Sequence, residues 1–70
     1  MADEFILEGN TGTLWHLWSR KYGAHTDSGD AGYIMLRDDG YEAFSRGDMG
    51  TSQGIFPTLD AAAATLRAIY

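Results

Sequence analysis

Apolar and polar residues alternate most clearly in the second half of the chain, where the pattern predicts a β-hairpin. Residues 32–36 form a strand-like run, Asp38-Asp39-Gly40 is a turn signal, and residues 41–45 resume the strand pattern. The residues that follow, 46–54, are rich in glycine and polar side chains and are expected to form a loop. The hairpin is therefore the best-defined element of the sequence.

The side chains of this hairpin also predict its register. With Asp39-Gly40 as the two turn residues, Arg37 lies opposite Glu42, and Met35 lies opposite Phe44. An opposite-charge pair and an apolar pair across two strands each stabilise their pairing. Both pairs favour the same register.

The last segment carries the signals of an α-helix over residues 58–70. Pro57 discourages further strand pairing, and Thr58 is a suitable N-cap. Asp60 and Arg67 lie at the ends where the helix dipole favours their charges. The apolar residues recur at helical spacing and are expected to form a core stripe: Leu59, Ala62, Ala63, Leu66, Ile69 and Tyr70.

The N-terminal third holds a predicted strand and a segment with two interpretations. Residues 4–8 are strand-like, and Asn10-Thr11-Gly12 is a turn signal. Over residues 13–22 the apolar side chains sit at helical spacing, but Trp, Leu and His also alternate as they do in strands. We favour the strand, because the predicted hairpin needs neighbouring strands.

These elements predict a single α+β domain over residues 1–70, in which three or four antiparallel strands carry the C-terminal helix on one face. One helix covers one face of the hairpin, yet the second face also carries apolar groups, among them Tyr33 and Phe44. This face must pack under the segment of Trp15 and Trp18, pair in a homodimer, or stay exposed as a partner-binding patch. Packing within the chain is the expected solution.

Charge and composition narrow the classes of function. The chain has 10 Asp and Glu against 5 Lys and Arg, a formal net charge of −5, which repels nucleic acid and anionic lipid and attracts basic protein surfaces. It has no cysteine, which excludes disulfides and thiolate zinc sites, and it opens without the pattern of a signal peptide. We expect a soluble cytoplasmic protein that binds no membrane.

No group of residues has the pattern of a catalytic or metal site. The serines are scattered over turns, and a domain of this size leaves no room for a deep pocket. Asp27 and Asp30 share one loop but lack the spacing of a calcium-binding loop, and the two histidines, nine residues apart, would need such carboxylates to complete a metal site. The sequence therefore predicts no enzyme, no metal and no other cofactor.

A sheet followed by a helix resembles the AP2-type DNA-binding module and the small integrase arm-binding domains. The matching stretches are residues 41–44 and 54–62, Tyr-Glu-Ala-Phe and Gly-Ile-Phe-Pro-Thr-Leu-Asp-Ala-Ala. The resemblance implies a sheet whose Arg and Lys side chains read the major groove. Only Arg37 and Arg46 could serve here, with carboxylates between them, and phosphate neutralisation supplies most non-specific affinity. DNA binding is therefore the alternative function, and no direct contact with nucleic acid is expected.

Acidic side chains in the loops and on the hairpin form the candidate partner-binding surface, together with the apolar Tyr33 and Phe44. In size, acidity and lack of a catalytic motif the chain resembles the small phage-encoded inhibitors of the anti-CRISPR type, several of which mimic DNA. The resemblance implies an inhibitor that occupies a basic surface of a nucleic-acid-handling complex in the host cytoplasm. A charge that only keeps the protein soluble is the competing interpretation. The acidic candidates could gather at one edge, and they are Asp27, Asp30, Asp38, Asp39, Glu42 and Asp48.

Overall fold

The computed structural model describes residues 4–9, 11–45 and 50–70, which form a five-stranded antiparallel sheet with one helix packed against it. The strands follow one another across the sheet in chain order. The predicted α+β class is confirmed, with five strands where three or four were expected. The elements are β1 Phe5–Gly9, β2 Leu14–Ser19, β3 Asp30–Arg37, β4 Gly40–Ser45, β5 Thr51–Phe56 and α1 Leu59–Ile69, with a 3₁₀ turn at Asp27–Gly29.

Residues 13–22 were compatible with either a helix or a strand, and the structure confirms the strand, which is β2. It pairs with β1 on one side and with β3 on the other. Leu17 is fully buried and belongs to the core that α1 covers. Since side chains alternate along a strand, Trp15 lies on this helix side, and His16 and Trp18 lie on the opposite side.

β5 is the strand that the sequence pattern did not predict. Residues 51–54 were expected to belong to a loop, and this expectation is wrong, because they form the first part of β5. Their polar and glycine residues hide the alternation, and a β-bulge interrupts it, since Ala43 pairs with Gly54 and Phe44 pairs with Ser52. Along the edge of β4 that does not pair with β3, the backbone N–H and C=O groups need hydrogen-bond partners, and β5 supplies them.

The β3–β4 turn lies one residue earlier than predicted, at Asp38 and Asp39. Arg37 therefore pairs with Gly40, and Phe44 pairs with Tyr33 rather than with Met35. Gly40 is therefore the first residue of β4 and not part of the turn. A glycine is required at this position because a Cβ would lie 2.5 Å from the carbonyl oxygen of Phe56 in β5. The predicted pairing partners are each displaced by two residues, so every side chain keeps its predicted face.

The core lies between α1 and the sheet. α1 packs on β3, β4 and β5, and its N-cap is Thr58, whose Oγ1 accepts a hydrogen bond from the N–H of Ala61 at 3.1 Å. Small side chains on the inner side of α1 let the helix approach the sheet closely. At the end of the predicted stripe, Ile69 and Tyr70 are 50% and 43% exposed. The buried apolar residues are Leu17, Ala31, Ile34, Ala43, Ala62, Ala63 and Leu66.

The sheet face opposite α1 is not covered by another element in the described part of the chain. Packing of the Trp15 and Trp18 segment over this face was expected, and that expectation is wrong, because the segment is β2 of the same sheet. Its two indoles lie on opposite faces. Within the described residues no helix is long and apolar enough to cross a membrane.

Candidate protein-binding face

The sheet face opposite α1, called the outer face below, presents one continuous line of residues across all five strands. Glu8 pairs with His16, His16 with Tyr33, Tyr33 with Phe44, and Phe44 with Ser52. The two-residue period of each strand points these side chains to the same side of the sheet. Trp18, Glu42 and the loop residue His25 border the line.

Aromatic rings stack along the middle of the outer face. The rings of His16 and Trp18 are 3.9 Å apart and nearly parallel, at 10°. Those of Tyr33 and Phe44 are 4.9 Å apart at 14°. His25 extends the row beyond Trp18, with a centroid separation of 5.0 Å. Between the two stacked pairs, the rings of His16 and Tyr33 are 6.4 Å apart and tilted at 37°. Aromatic ring pairs contribute about 0.5–1.5 kcal/mol beyond their area burial, so ring contacts stabilise the row.

Two carboxylates hold the histidine end of this row. The Oδ1 atom of Asp30 lies 2.7 Å from His16 Nε2, and it also accepts a hydrogen bond from the N–H of Gly32 at 3.0 Å. Glu8 contacts His25 with both carboxylate oxygens, each 3.0 Å from Nε2. These contacts fix both imidazole rings and place negative charge beside the aromatic row.

A third carboxylate, Glu42, lies at the other end of the row. The Ser52 hydroxyl donates to its Oε2 atom at 2.6 Å, and Arg37 Nε donates to its Oε1 atom at 2.9 Å. The Ser52 hydrogen bond, followed by the hydrogen bond and the charge of Arg37, outweighs desolvation and holds the pKa of Glu42 below its ordinary value of 4.5. The predicted contact of Arg37 with Glu42 therefore exists, although the two residues are diagonal rather than opposite.

The depressed pKa of Glu42 predicts an acid-sensitive part of the stability. A carboxylate whose pKa is lowered on folding stabilises the fold above its ordinary value, and this contribution is lost as the pH falls below that value, 4.5. We therefore expect Glu42→Gln to lower the urea midpoint at about pH 7 and to change it much less at about pH 3. Ser52→Ala should weaken the same pH dependence. An equal effect of Glu42→Gln at both pH values would contradict this assignment.

The indole N–H of Trp18 is a polar group that this face leaves unsatisfied. Its Nε1 atom is buried and has no hydrogen-bond partner among the described residues. Such burial costs about 1–3 kcal/mol. Unsatisfied buried donors are rare in folded proteins, which makes the surroundings of Trp18 an unusual part of the surface.

The structure brings some of the predicted partner-binding residues together and separates others. Tyr33, Phe44 and Glu42 share the outer face, and Asp30 lies beside His16. The tip carboxylates Asp38 and Asp39 and the exposed Asp27 of the 3₁₀ turn lie elsewhere, and Asp48 is outside the described residues.

The predicted acidic edge is split in two. The carboxylate of Asp30 belongs to the start of β3 and those of Asp38 and Asp39 follow its end. Over β3 the strand runs about 23 Å, at a typical rise per residue. The acids around the 3₁₀ turn and those of the hairpin tip therefore do not form a single surface.

A groove of about 350 Å³ lies at the start of β3, between the 3₁₀ turn and the end of α1. Asp27, Asp30, Ser45 and Tyr70 are among its lining residues. Within residues 4–9, 11–45 and 50–70, no group of three or more His, Asp or Glu side chains could hold a metal ion. The groove is distinct from the aromatic row of the outer face.

Protein-family models, curated proteins and solved structures give no match to this chain. The outer face itself is therefore the best guide to function.

The sequence interpretation missed half of the outer face. Glu8, His16, Trp18 and His25 were not among the candidate binding residues. The signal was present in β2, where His16 and Trp18 are two residues apart and so share a face in any strand. Glu8 and His25 could not be joined to them, because their contact spans 17 residues and depends on a loop.

Proposed function

We propose that this protein is a non-enzymatic protein-binding module that holds a basic segment of a partner protein against its outer face. One observation carries the proposal: a row of rings from Trp18 to Phe44, formed by two stacked pairs and bordered by the carboxylates of Glu8, Asp30 and Glu42. The described residues leave this face open, and its charged border is largely acidic.

Rings and carboxylates together suit arginine better than any other side chain. A guanidinium group stacks flat on an aromatic ring, and its planar fork of N–H groups pairs with a carboxylate. Arg37 and Glu42 already form an arginine–carboxylate ion pair at the border of the outer face, through a single contact from Nε to Oε1. Lysine carries a point charge without the fork, so we expect arginine-rich segments to bind more tightly than lysine-rich ones.

The net charge of −5 favours one class of partner, a protein with a basic surface. Proteins that handle nucleic acids carry basic channels, and an acidic protein is drawn to them by long-range attraction. With its resemblance to inhibitors of the anti-CRISPR type, the favoured role is an inhibitor that occupies such a channel in the host cytoplasm, as a DNA mimic. Direct contacts with nucleic acid, membranes or cofactors have no part in this role.

The second candidate is a sheet-based DNA-binding module, and the aromatic row favours it. Bases of a single strand stack on aromatic side chains, each worth about 1–3 kcal/mol. Nucleic-acid grooves also need cations for the phosphates, however, and the Arg37 guanidinium of this face is paired with Glu42. The carboxylates along the row oppose a phosphate backbone, so we rank this candidate second.

Titration with model ligands separates the two candidates. We expect octa-arginine to shift the amide resonances of β2, β3 and β4 on the outer face, and octa-lysine to do so more weakly. Single-stranded and duplex DNA should leave the spectrum unchanged at low salt. DNA binding that weakens steeply with added salt would instead establish the second candidate.

Variants show which residues make the contact. Tyr33→Leu removes one ring from the row and should weaken octa-arginine binding about tenfold, since a desolvated ring–cation contact is worth about 1–2 kcal/mol. The double substitution Asp38→Asn with Asp39→Asn removes two charges at the hairpin tip and should act mainly through a slower association rate. If the double variant loses more affinity for octa-arginine than Tyr33→Leu does, the contact lies at the hairpin tip and the role of the outer face is refuted.

A further inference from the structure

The sheet ends at two edge strands that differ in how well they resist pairing with another strand. β5 has a bulge at Gln53, a glycine with a φ of 113° at Gly54, and Pro57 directly after it. Bulges and prolines are the features that protect edges against further pairing. β1 has neither: its five residues pair with β2 without a break. Within the described residues, no strand pairs with the other side of β1.

The backbone of β1 directs hydrogen-bonding groups to its open side. The N–H of Arg20 donates to the carbonyl of Glu4 at 2.6 Å, which sets the phase of the ladder between β1 and β2. In an antiparallel ladder, residues that bond to the partner alternate with residues that face away from it. Ile6 and Glu8 share the phase of Glu4 and face β2. Leu7 therefore directs its N–H and C=O groups away from β2, toward the open side.

We propose that two copies of this chain pair antiparallel through β1, about a two-fold axis at Leu7, and so join their sheets into one. In this register Leu7 faces Leu7 of the second copy, and the two residues exchange both backbone hydrogen bonds. Ile6 faces Glu8 of the second copy, and Phe5 faces Gly9 of the second copy. Every residue of β1 then lies opposite a residue of the other β1, as a two-fold interface requires.

The charges of β1 select this register among the neighbouring ones. An axis at Ile6 would place Glu8 opposite Glu4 of the second copy. An axis at Glu8 would place the two Glu8 carboxylates opposite each other. Like charges directly opposite destabilise a strand pair. The axis at Leu7 avoids both clashes, which makes β1 complementary to a second β1 rather than to an arbitrary strand.

Apolar surface beside β1 supports the same partner. α1 packs over β3, β4 and β5, and Phe5 and Leu7 on the helix side of β1 remain half-buried. Trp15 covers Gly9, with its Nε1 atom 3.2 Å from the position of a Cβ there. In the proposed register, Phe5 of one copy approaches Trp15 of the other. Pairing therefore continues the apolar layer of one copy into that of the next.

Sedimentation equilibrium of the wild-type protein and three variants tests the proposal. Ile6→Glu places a carboxylate opposite Glu8 of the second copy, and we expect it to raise the dimer Kd at least tenfold. Ile6→Lys places an ammonium group there and should leave the dimer at least as tight as in the wild type. Ile55→Glu makes the same charge change on β5, at a side chain 45% exposed, and should have no effect.

Amide hydrogen exchange gives a second readout that does not depend on the variants. The Leu7 amide should be protected at high protein concentration and exchange rapidly on dilution, whereas the Ile6 and Glu8 amides stay protected at both. Far-UV circular dichroism checks that each variant is folded. A wild-type protein that stays monomeric, or equal weakening by Ile6→Glu and Ile6→Lys, would overturn the proposal. These measurements involve no ligand, so their failure leaves the proposed function of the outer face standing.

Discussion

Leu66→Ala should remove a large share of this protein's free energy of unfolding. Leu66 is fully buried at the centre of the contact between α1 and the sheet. Truncating a buried leucine costs about 2–5 kcal/mol, from lost burial and from the cavity left behind. The whole free energy of unfolding of a domain this small is only about 3.5–10 kcal/mol, at the usual stability per residue. One side chain therefore contributes a large share of the stability.

Urea denaturation followed by far-UV circular dichroism measures this loss. Ile69→Ala is the matched control, because Ile69 belongs to the same helix but is 50% exposed. We expect the control to change the free energy of unfolding by no more than about 0.5 kcal/mol, as surface substitutions usually do. Equal losses for the two variants would show that α1 does not pack on the sheet through Leu66.

Local signals in the sequence were sufficient to predict α1. Thr58 as N-cap, Pro57 before it and the apolar spacing after it define the helix without reference to the rest of the fold. The end of the stripe was less predictable. Tyr70 is exposed, and its hydroxyl donates to the carbonyl oxygen of Ser28, a loop residue far away in sequence.

The hairpin shows which part of a pairing a sequence determines. Alternation assigned Tyr33 and Phe44 to one face, and the structure keeps them there although the turn is displaced. The turn itself depended on a contact outside the hairpin, because Gly40 is needed where β4 approaches Phe56. Local turn chemistry could not reveal this requirement, since β5 was not predicted.

The candidate site was predictable only where it follows the strand period. Tyr33, Phe44 and Glu42 were found from the hairpin, and His16 and Trp18 could have been found in the same way from β2. The acidic edge was not predictable, because charge alone does not show which loops meet. The carboxylates that do meet the aromatic row are held by individual partners that lie on other strands and loops.

A β-bulge in β3 carries the other large expected effect. Leu17 pairs with Gly32 and Trp18 pairs with Asp30, so Ala31 is an extra residue in the strand. Gly32 has a φ of 123°, which other residues rarely adopt. A Cβ at this position would lie 2.3 Å from the carbonyl oxygen of Phe44 and 3.2 Å from a methyl carbon of Leu66. Only glycine fits between β4 and α1 at this point.

Gly32→Ala should therefore leave the protein largely unfolded, because strain in the backbone adds to a clash with the backbone carbonyl of Phe44. Gly12→Ala separates the two causes: Gly12 also has a positive φ, 84°, but a Cβ there would meet no atom within 4 Å. The strain alone costs about 1–2 kcal/mol, so the Gly12 variant should fold with a lower melting temperature. Thermal melts and amide NMR spectra of both variants distinguish these outcomes. If Gly32→Ala melts at the same temperature as Gly12→Ala, the close approach of β3 to Phe44 and Leu66 is wrong, and with it the position of Asp30 beside the outer face.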